Sequence, residues 1–143
     1  MTKPIKTYDA QIADRCRAAS LLIQASTIEI LLALRCPRLR DQSDSASRLA
    51  AKARSEAYEI NSTLSTNTRL HSDDLKNLHL TALSIASARH HNHHREAEAI
   101  QRDALYKLTW AQQARVLPTL VQRNSETLVT AHDHFRFHPS AAS

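Results

Sequence analysis

Residues 18–34, AASLLIQASTIEILLAL, decide the fold of this chain. Their apolar side chains cover more than one face of a helix, so several neighbouring elements must bury this segment. We therefore expect a long central helix that starts near Thr7, its N-cap, and runs to Arg35, with Pro37 ending it. The apolar residues of this helix are Leu21, Leu22, Ile23, Ile28, Ile30, Leu31, Leu32 and Leu34.

The chain of 143 residues contains no glycine. Phosphate-cradling loops, dinucleotide fingerprints, nucleophile elbows and two-residue hairpin turns use glycine where the backbone needs a positive φ or a close approach. Only 4% of the residues are aromatic, which leaves Leu, Ile, Val and Ala to build the core. These features predict an all-α protein and exclude most active sites that are built on loops.

Three further helices are predicted after the first. The second covers about residues 43–65, after a capping signal from Asp41 and Asp44, and its apolar stripe is Leu49, Ala53, Ala57, Ile60 and Leu64. Ser72 is expected to cap the third, whose stripe is Leu75, Leu78, Ala82, Ile85 and Ala86, widened by Leu80 and Leu83. The fourth covers about residues 95–117, and its inner face is Ala97, Ile100, Ala104, Leu108 and Ala111.

The chain is long enough for one helical domain over residues 1–143. Pro118 should end or kink the fourth helix, and a short fifth helix is expected from about Ser125. Residues 1–6 and about 136–143 are expected to be flexible. The predicted architecture is an antiparallel four- to five-helix bundle or a set of stacked helical hairpins.

Residues 89–94, RHHNHH, either continue the third helix or turn the chain. Asn tolerates left-handed backbone geometry better than other non-glycine residues, so we favour a hairpin that turns at Asn92. On a continuous helix, His90, His94 and Glu98 would share one face and could hold a metal ion, with Asp133 as a possible further ligand. The preferred interpretation is that these histidines are solvated or capping residues and that the protein has no cofactor.

Arg89 and His94 are separated by four residues, and His90 follows the arginine. This spacing resembles the catalytic motif of HEPN-domain ribonucleases, which are all-helical and of similar size. The resemblance implies metal-independent RNA cleavage across a dimer cleft, with Arg89 stabilising the phosphate and His94 acting as the acid–base group. A formal net charge of +5 would also suit a passive RNA binder, although 14 acidic residues are spread among the 19 basic ones.

Ala97 and Ala104 are seven residues apart in the segment 82–108, where small residues allow two helices to pack closely. This segment resembles the helical hairpins of MIT domains and tetratricopeptide repeats. We expect a non-catalytic, MIT-like adaptor that binds an amphipathic helix of a partner protein in a groove between helices, because the chain has almost no loop chemistry and its first helix carries more apolar surface than a small bundle covers easily. Homo-oligomers are compatible with this function. The expected partner-binding residues are the apolar side chains of Leu31, Leu34, Tyr106 and Trp110.

Cys16 and Cys36 would lie about 30 Å apart on one helix, too far for a disulfide bond. Two lone cysteines suit a reducing compartment.

The longest strongly apolar run, residues 28–34, is shorter than the roughly 20 residues that cross a bilayer, and the first nine residues lack a secretory signal. We therefore expect no membrane span and an intracellular, cytoplasmic location.

Overall fold

The structure of the chain is a computed structural model that describes residues 7–34, 42–108, 120 and 122–123. These residues form the helices α1 (Tyr8–Ala33), α2 (Ser43–Ser62), α3 (Ser72–His90) and α4 (His94–Leu108), and they include no strand. The all-α fold class and the arrangement of packed helical hairpins are confirmed. The predicted continuation of the fourth helix to residue 117, the predicted fifth helix and both predicted flexible ends lie outside the described residues.

Helix α1 is the central helix, as predicted. It packs most extensively on α2, next on α3, and through a smaller contact on α4. Its N-terminus is capped by Thr7, whose Oγ1 accepts a hydrogen bond from the backbone N–H of Ala10 at 3.2 Å. Every residue from Leu22 to Ile28 is buried, which requires neighbours around the whole circumference of this part of the helix.

Helix α1 is also long and apolar enough to cross a membrane by length and composition, with a hydropathy of 1.4 over its qualifying window. The apolar run of residues 28–34, on which the prediction relied, is therefore shorter than the apolar segment of α1. However, 67% of that window is buried inside the protein, and the buried core helix of a soluble protein passes the same test. The absence of a membrane span stays a prediction.

The interface between α1 and α2 is lined on the α2 side by alanine. The residues of α2 that are fully buried are Ala46, Ala50, Ala53 and Ala57, at steps of four, three and four. Leu49 and Ile60, which were expected as members of the stripe, are only partly buried. Small side chains allow the two helix axes to approach closely, so this alanine seam holds α2 against the central helix.

The connection between α2 and α3 is fixed by side chains rather than by glycine turns. Arg15 of α1 donates from its Nη1 atom to the carbonyl oxygens of Thr68 and Arg69, each at 2.9 Å. The side chain of Asn61 accepts from the N–H of Leu70 at 2.7 Å and donates to its carbonyl at 3.1 Å. These bonds satisfy backbone groups in a segment that was predicted to turn because of its Asn, Thr and Ser content.

Two predicted helix boundaries differ from the structure by a few residues. Helix α2 ends at Ser62 and not at residue 65, because the hydroxyls of Ser62 and Thr63 donate to the carbonyls of Glu59 and Ile60, each at 2.7 Å. The N-cap of α3 is His71 and not Ser72. The backbone N–H of His71 is satisfied by Asp74, whose Oδ2 lies 2.9 Å away.

The inward faces of α3 and α4 were predicted only in part. Leu80 and Leu83 were expected to widen the buried stripe of α3, but their side chains are 50% and 42% exposed. In α4 the buried positions are Ala97, Gln101 and Leu105, so a polar residue occupies the core. Ile100 is half-buried at the edge of the helix pair. The apolar stripe predicted for α3 is wider than the contact that the neighbouring helices make with it. Leu80 and Leu83 therefore stay partly exposed at its edge.

Burial raises the pKa of the Cys16 thiol to about 12. At pH 8 its thiolate fraction in the folded protein is then about one in ten thousand, and the thiolate is the reactive form. In a Cys36→Ser background, we expect Cys16 to stay unmodified by a thiol-exchange reagent at pH 8 and to react fully once the chain is unfolded in denaturant. Equal rates of reaction in the folded and unfolded states would contradict the burial of this thiol.

Candidate functional site

The chain turns between α3 and α4 at Asn92, which has a φ of 64°. The N–H of Asn92 donates to the carbonyl of Arg89 at 3.0 Å, and the N–H of His93 donates to that of Ala88 at 2.7 Å. This pair of bonds around a left-handed residue is a Schellman motif, the usual way to end a helix, here with Asn in place of glycine. The predicted hairpin at Asn92 is confirmed, and the continuous helix is absent.

The metal site that the continuous helix would have allowed is therefore not formed. His90 ends α3 and His94 begins α4, so the face that they were to share with Glu98 does not exist. Over the described residues, no group of three His, Cys, Asp or Glu side chains stands close enough to hold a metal ion. Asp133 lies outside the described residues.

Arg89 and His94 are brought together across the turn. The Nη1 atom of Arg89 lies 3.1 Å from the Nδ1 atom of His94. Because a guanidinium only donates, Nδ1 of His94 accepts this bond, and the proton of the neutral imidazole is on Nε2. The spacing that suggested a ribonuclease motif thus does produce a contact between the two side chains.

The burial of Arg89 limits what this pair can do. Its exposure is 0%, whereas a cation that stabilises a phosphate must be reached by that phosphate. In this conformation the guanidinium orients His94 and supports the end of the α3–α4 hairpin, since it is enclosed by protein. RNA cleavage by Arg89 and His94 stays a prediction that this geometry does not favour, and passive RNA binding, which was expected from the net charge, stays a prediction.

An open groove runs along the seam of α3 and α4. It consists of two depressions of about 670 and 640 Å³, and Ile100 lines both of them. On α4 the groove extends from Glu96 to Leu108, which is about 18 Å at 1.5 Å per residue. We call it the α3–α4 groove.

The α3–α4 groove is lined by apolar and polar side chains in similar measure and is charged at its ends. Its uncharged polar lining residues are Asn77, Thr81, Ser84 and Ser87. Its apolar lining residues are Leu78, Leu80, Leu83, Ala88, Ile100, Ala104 and Leu108. One end carries Asp74, Asp103 and Lys107. At the other end are His91, His93 and Glu96. Ala104, one of the two alanines that carried the resemblance to helical hairpin modules, lines the groove, while Ala97 is fully buried and does not line it.

The structure describes three of the four partner-binding residues expected from the sequence, namely Leu31, Leu34 and Tyr106. Leu31 is a core residue with 8% exposure, and Trp110 lies outside the described residues. Leu34 and Tyr106 are 48% and 50% exposed, but neither lines the α3–α4 groove.

The leucines that do flank the groove were assigned to the core by their helical spacing. The one sequence signal that distinguishes Leu80 and Leu83 is their position outside the tighter stripe formed by Leu78, Ala82 and Ile85.

Comparison with known proteins finds no matching family model, no matching curated protein and no matching solved structure.

Proposed function

We propose that this protein is a non-catalytic interaction module that binds an amphipathic helix of a partner protein in the α3–α4 groove. The observation that carries the proposal is the pair of half-exposed leucines, Leu80 and Leu83, on one wall of the open seam between the two helices. An amphipathic helix that lies in such a groove buries its own apolar face and the exposed leucines together.

The dimensions of the groove suit a helix of about three turns. A length of about 18 Å accommodates roughly 12 helical residues, which place apolar side chains at positions i, i+3 or i+4, and i+7 along one face. Full burial of an exposed leucine is worth about 1.5–3 kcal/mol, and roughly half of that is available here because each side chain is already half-buried. Leu80 and Leu83 could thus contribute together about as much as one fully buried leucine.

The charged ends of the groove favour one class of partner sequence. Asp103 lies at the end lined by Lys107, where the carboxylate of Asp74 is already ion-paired with Arg15 at 3.4 Å. A partner helix with a basic residue near that end would meet the carboxylate of Asp103 at the rim, where charge sets orientation and rate of association more than affinity. The expected ligand is therefore an apolar helical stripe that ends beside Lys or Arg.

The groove is tested by a pair of charge substitutions and a matched control. In the full-length tagged protein, Leu80→Glu with Leu83→Glu should lower recovery of a stoichiometric partner at least about tenfold, or 1.4 kcal/mol. The control is Tyr58→Glu on α2, which changes a similarly exposed apolar side chain on a different helix. Purification from cells of the natural source, with and without nuclease, followed by mass spectrometry, measures the recovery. Circular dichroism checks that each variant is folded.

Two results would overturn the proposal. One is equal recovery of every protein partner by the groove variant and the Tyr58 variant. The other is a complex that disappears on nuclease treatment, which would move the function to RNA and to Arg89 and His94. A photo-reactive amino acid placed at Leu83 should crosslink to the partner, and the same group at Tyr58 should not.

A further inference from the structure

We infer that His91 and His93, at the α3–α4 turn, form an open site in which two imidazoles bind one late first-row transition-metal ion such as Zn²⁺, Ni²⁺ or Cu²⁺. This site differs from the arrangement of His90, His94 and Glu98 that the turn removes. It does not depend on what occupies the α3–α4 groove. Imidazole nitrogen is a preferred ligand of these ions, and the pair is exposed to solvent, which gives a metal ion free entry.

His91 is held in the tautomer that a metal ligand needs. Its Nδ1 atom lies 2.8 Å from the carbonyl oxygen of Ser87. Because a carbonyl oxygen only accepts, Nδ1 carries the proton and the lone pair of the neutral ring is on Nε2. In metalloproteins a ligating histidine commonly donates its other ring N–H to a backbone carbonyl or a carboxylate, which fixes the orientation of the ring.

The ring of His93 is oriented by a carboxylate rather than by a backbone carbonyl. Its Nδ1 atom lies 3.4 Å from Oε2 of Glu96, one turn into α4. The carboxylate favours a proton on Nδ1 and so leaves Nε2 of the neutral ring as the coordinating atom. Both histidines therefore engage an oxygen through Nδ1 and have Nε2 as the available donor nitrogen.

The spacing of the two rings matches a shared ion. Their centroids are 6.2 Å apart, with planes inclined by 35°. Two imidazoles bound to one ion through Nε2, with metal–nitrogen bonds of about 2.0–2.1 Å, place their ring centroids roughly 5 Å apart at a tetrahedral angle and roughly 6.5 Å apart at a linear one, so the observed separation suits a wide nitrogen–metal–nitrogen angle. The ring of His90 stands at 88° to that of His91 at a centroid distance of 5.3 Å.

The site has two protein ligands, so its other coordination positions are open. This agrees with the absence of any three-residue metal cluster in the described ranges. His94 is excluded as the third ligand through Nδ1, because that atom accepts the hydrogen bond from Arg89. Water, or a donor group of a molecule bound at this end of the groove, would complete the coordination shell.

The test uses the full-length chain without a polyhistidine tag. The background carries His132→Gln, His134→Gln and His138→Gln, so that the second histidine cluster cannot contribute. Calorimetric titration with Zn²⁺ and Cu²⁺ should give one site per chain, and His91→Ala or His93→Ala should each weaken it by at least about tenfold, as for loss of a metal-site partner. His79→Ala, at an exposed histidine elsewhere on α3, is the matched control and should leave the affinity unchanged.

A spectroscopic measurement separates a defined site from loose binding. The electron paramagnetic resonance spectrum of the Cu²⁺ complex should show coupling to two imidazole nitrogens, reduced to one in each single variant. Binding that is equally weakened by His79→Ala, or that persists at full affinity in the double variant His91→Ala with His93→Ala, would overturn the inference. Circular dichroism of each variant excludes unfolding as the cause of a loss.

Discussion

Replacing Arg89 with Ala is expected to lower the free energy of unfolding by about 2–5 kcal/mol, the combined effect of the cavity that the large side chain leaves and of the lost hydrogen bond from a charged group. The Arg89 side chain is fully enclosed and is the largest of the fully buried side chains among the described residues. Its removal deletes the donor that holds Nδ1 of His94 at 3.1 Å and leaves a cavity behind the turn. The hairpin of α3 and α4 should loosen first, because this contact joins the end of one helix to the start of the other.

Urea denaturation followed by circular dichroism measures this effect through the transition midpoint. The matched control is Arg95→Ala, at an exposed arginine in the first turn of α4, which should change the stability by no more than about 0.5 kcal/mol. Arg89→Met keeps most of the side-chain volume and should lose less than the alanine variant, which separates the cavity from the lost hydrogen bond. A loss below about 1 kcal/mol in Arg89→Ala would show that the guanidinium does not support the turn.

The double variant Ala50→Leu with Ala57→Leu is expected to destabilise the protein by about 2–6 kcal/mol. Each enlargement of a well-packed position costs about 1–3 kcal/mol, and sites two helical turns apart act nearly independently. Both alanines are buried in the seam against α1, the most extensive helix contact of the described fold. Leucine side chains there would push α2 away from the central helix.

Thermal unfolding of this variant should be compared with that of Ala51→Leu. Ala51 neighbours the seam in the sequence but is exposed, so leucine at this position should be close to neutral. When the single variant Ala50→Leu is measured as well, its comparison with Ala51→Leu holds the chemistry of the substitution constant and changes only the face of the helix. If the two changes were equally harmless, the close approach of α1 and α2 along the alanine seam would be refuted.

The proposed interaction surface illustrates a limit of reading helices from periodicity. Leu80 and Leu83 have helical spacing relative to other apolar residues of α3, and nothing in that spacing separates a core leucine from one beside an open groove. The expected anchors Leu31 and Leu34 come from the same apolar run, yet one is buried and the other is half-exposed at the end of α1. Whether another part of the chain packs on the side chain decides its burial in each case.

By itself the sequence determined the features that depend on local chemistry. The lack of glycine and the apolar run of residues 18–34 specified an all-α fold around one central helix, and Asn92 specified the turn because few other side chains tolerate a positive φ. Only the tertiary structure decided which face of each helix points toward the core. Successive residues of a helix point in directions about 100° apart, and the packing of α1, α3 and α4 determines which of them face inward. That choice buried Arg89 and Gln101 and left the α3–α4 groove open.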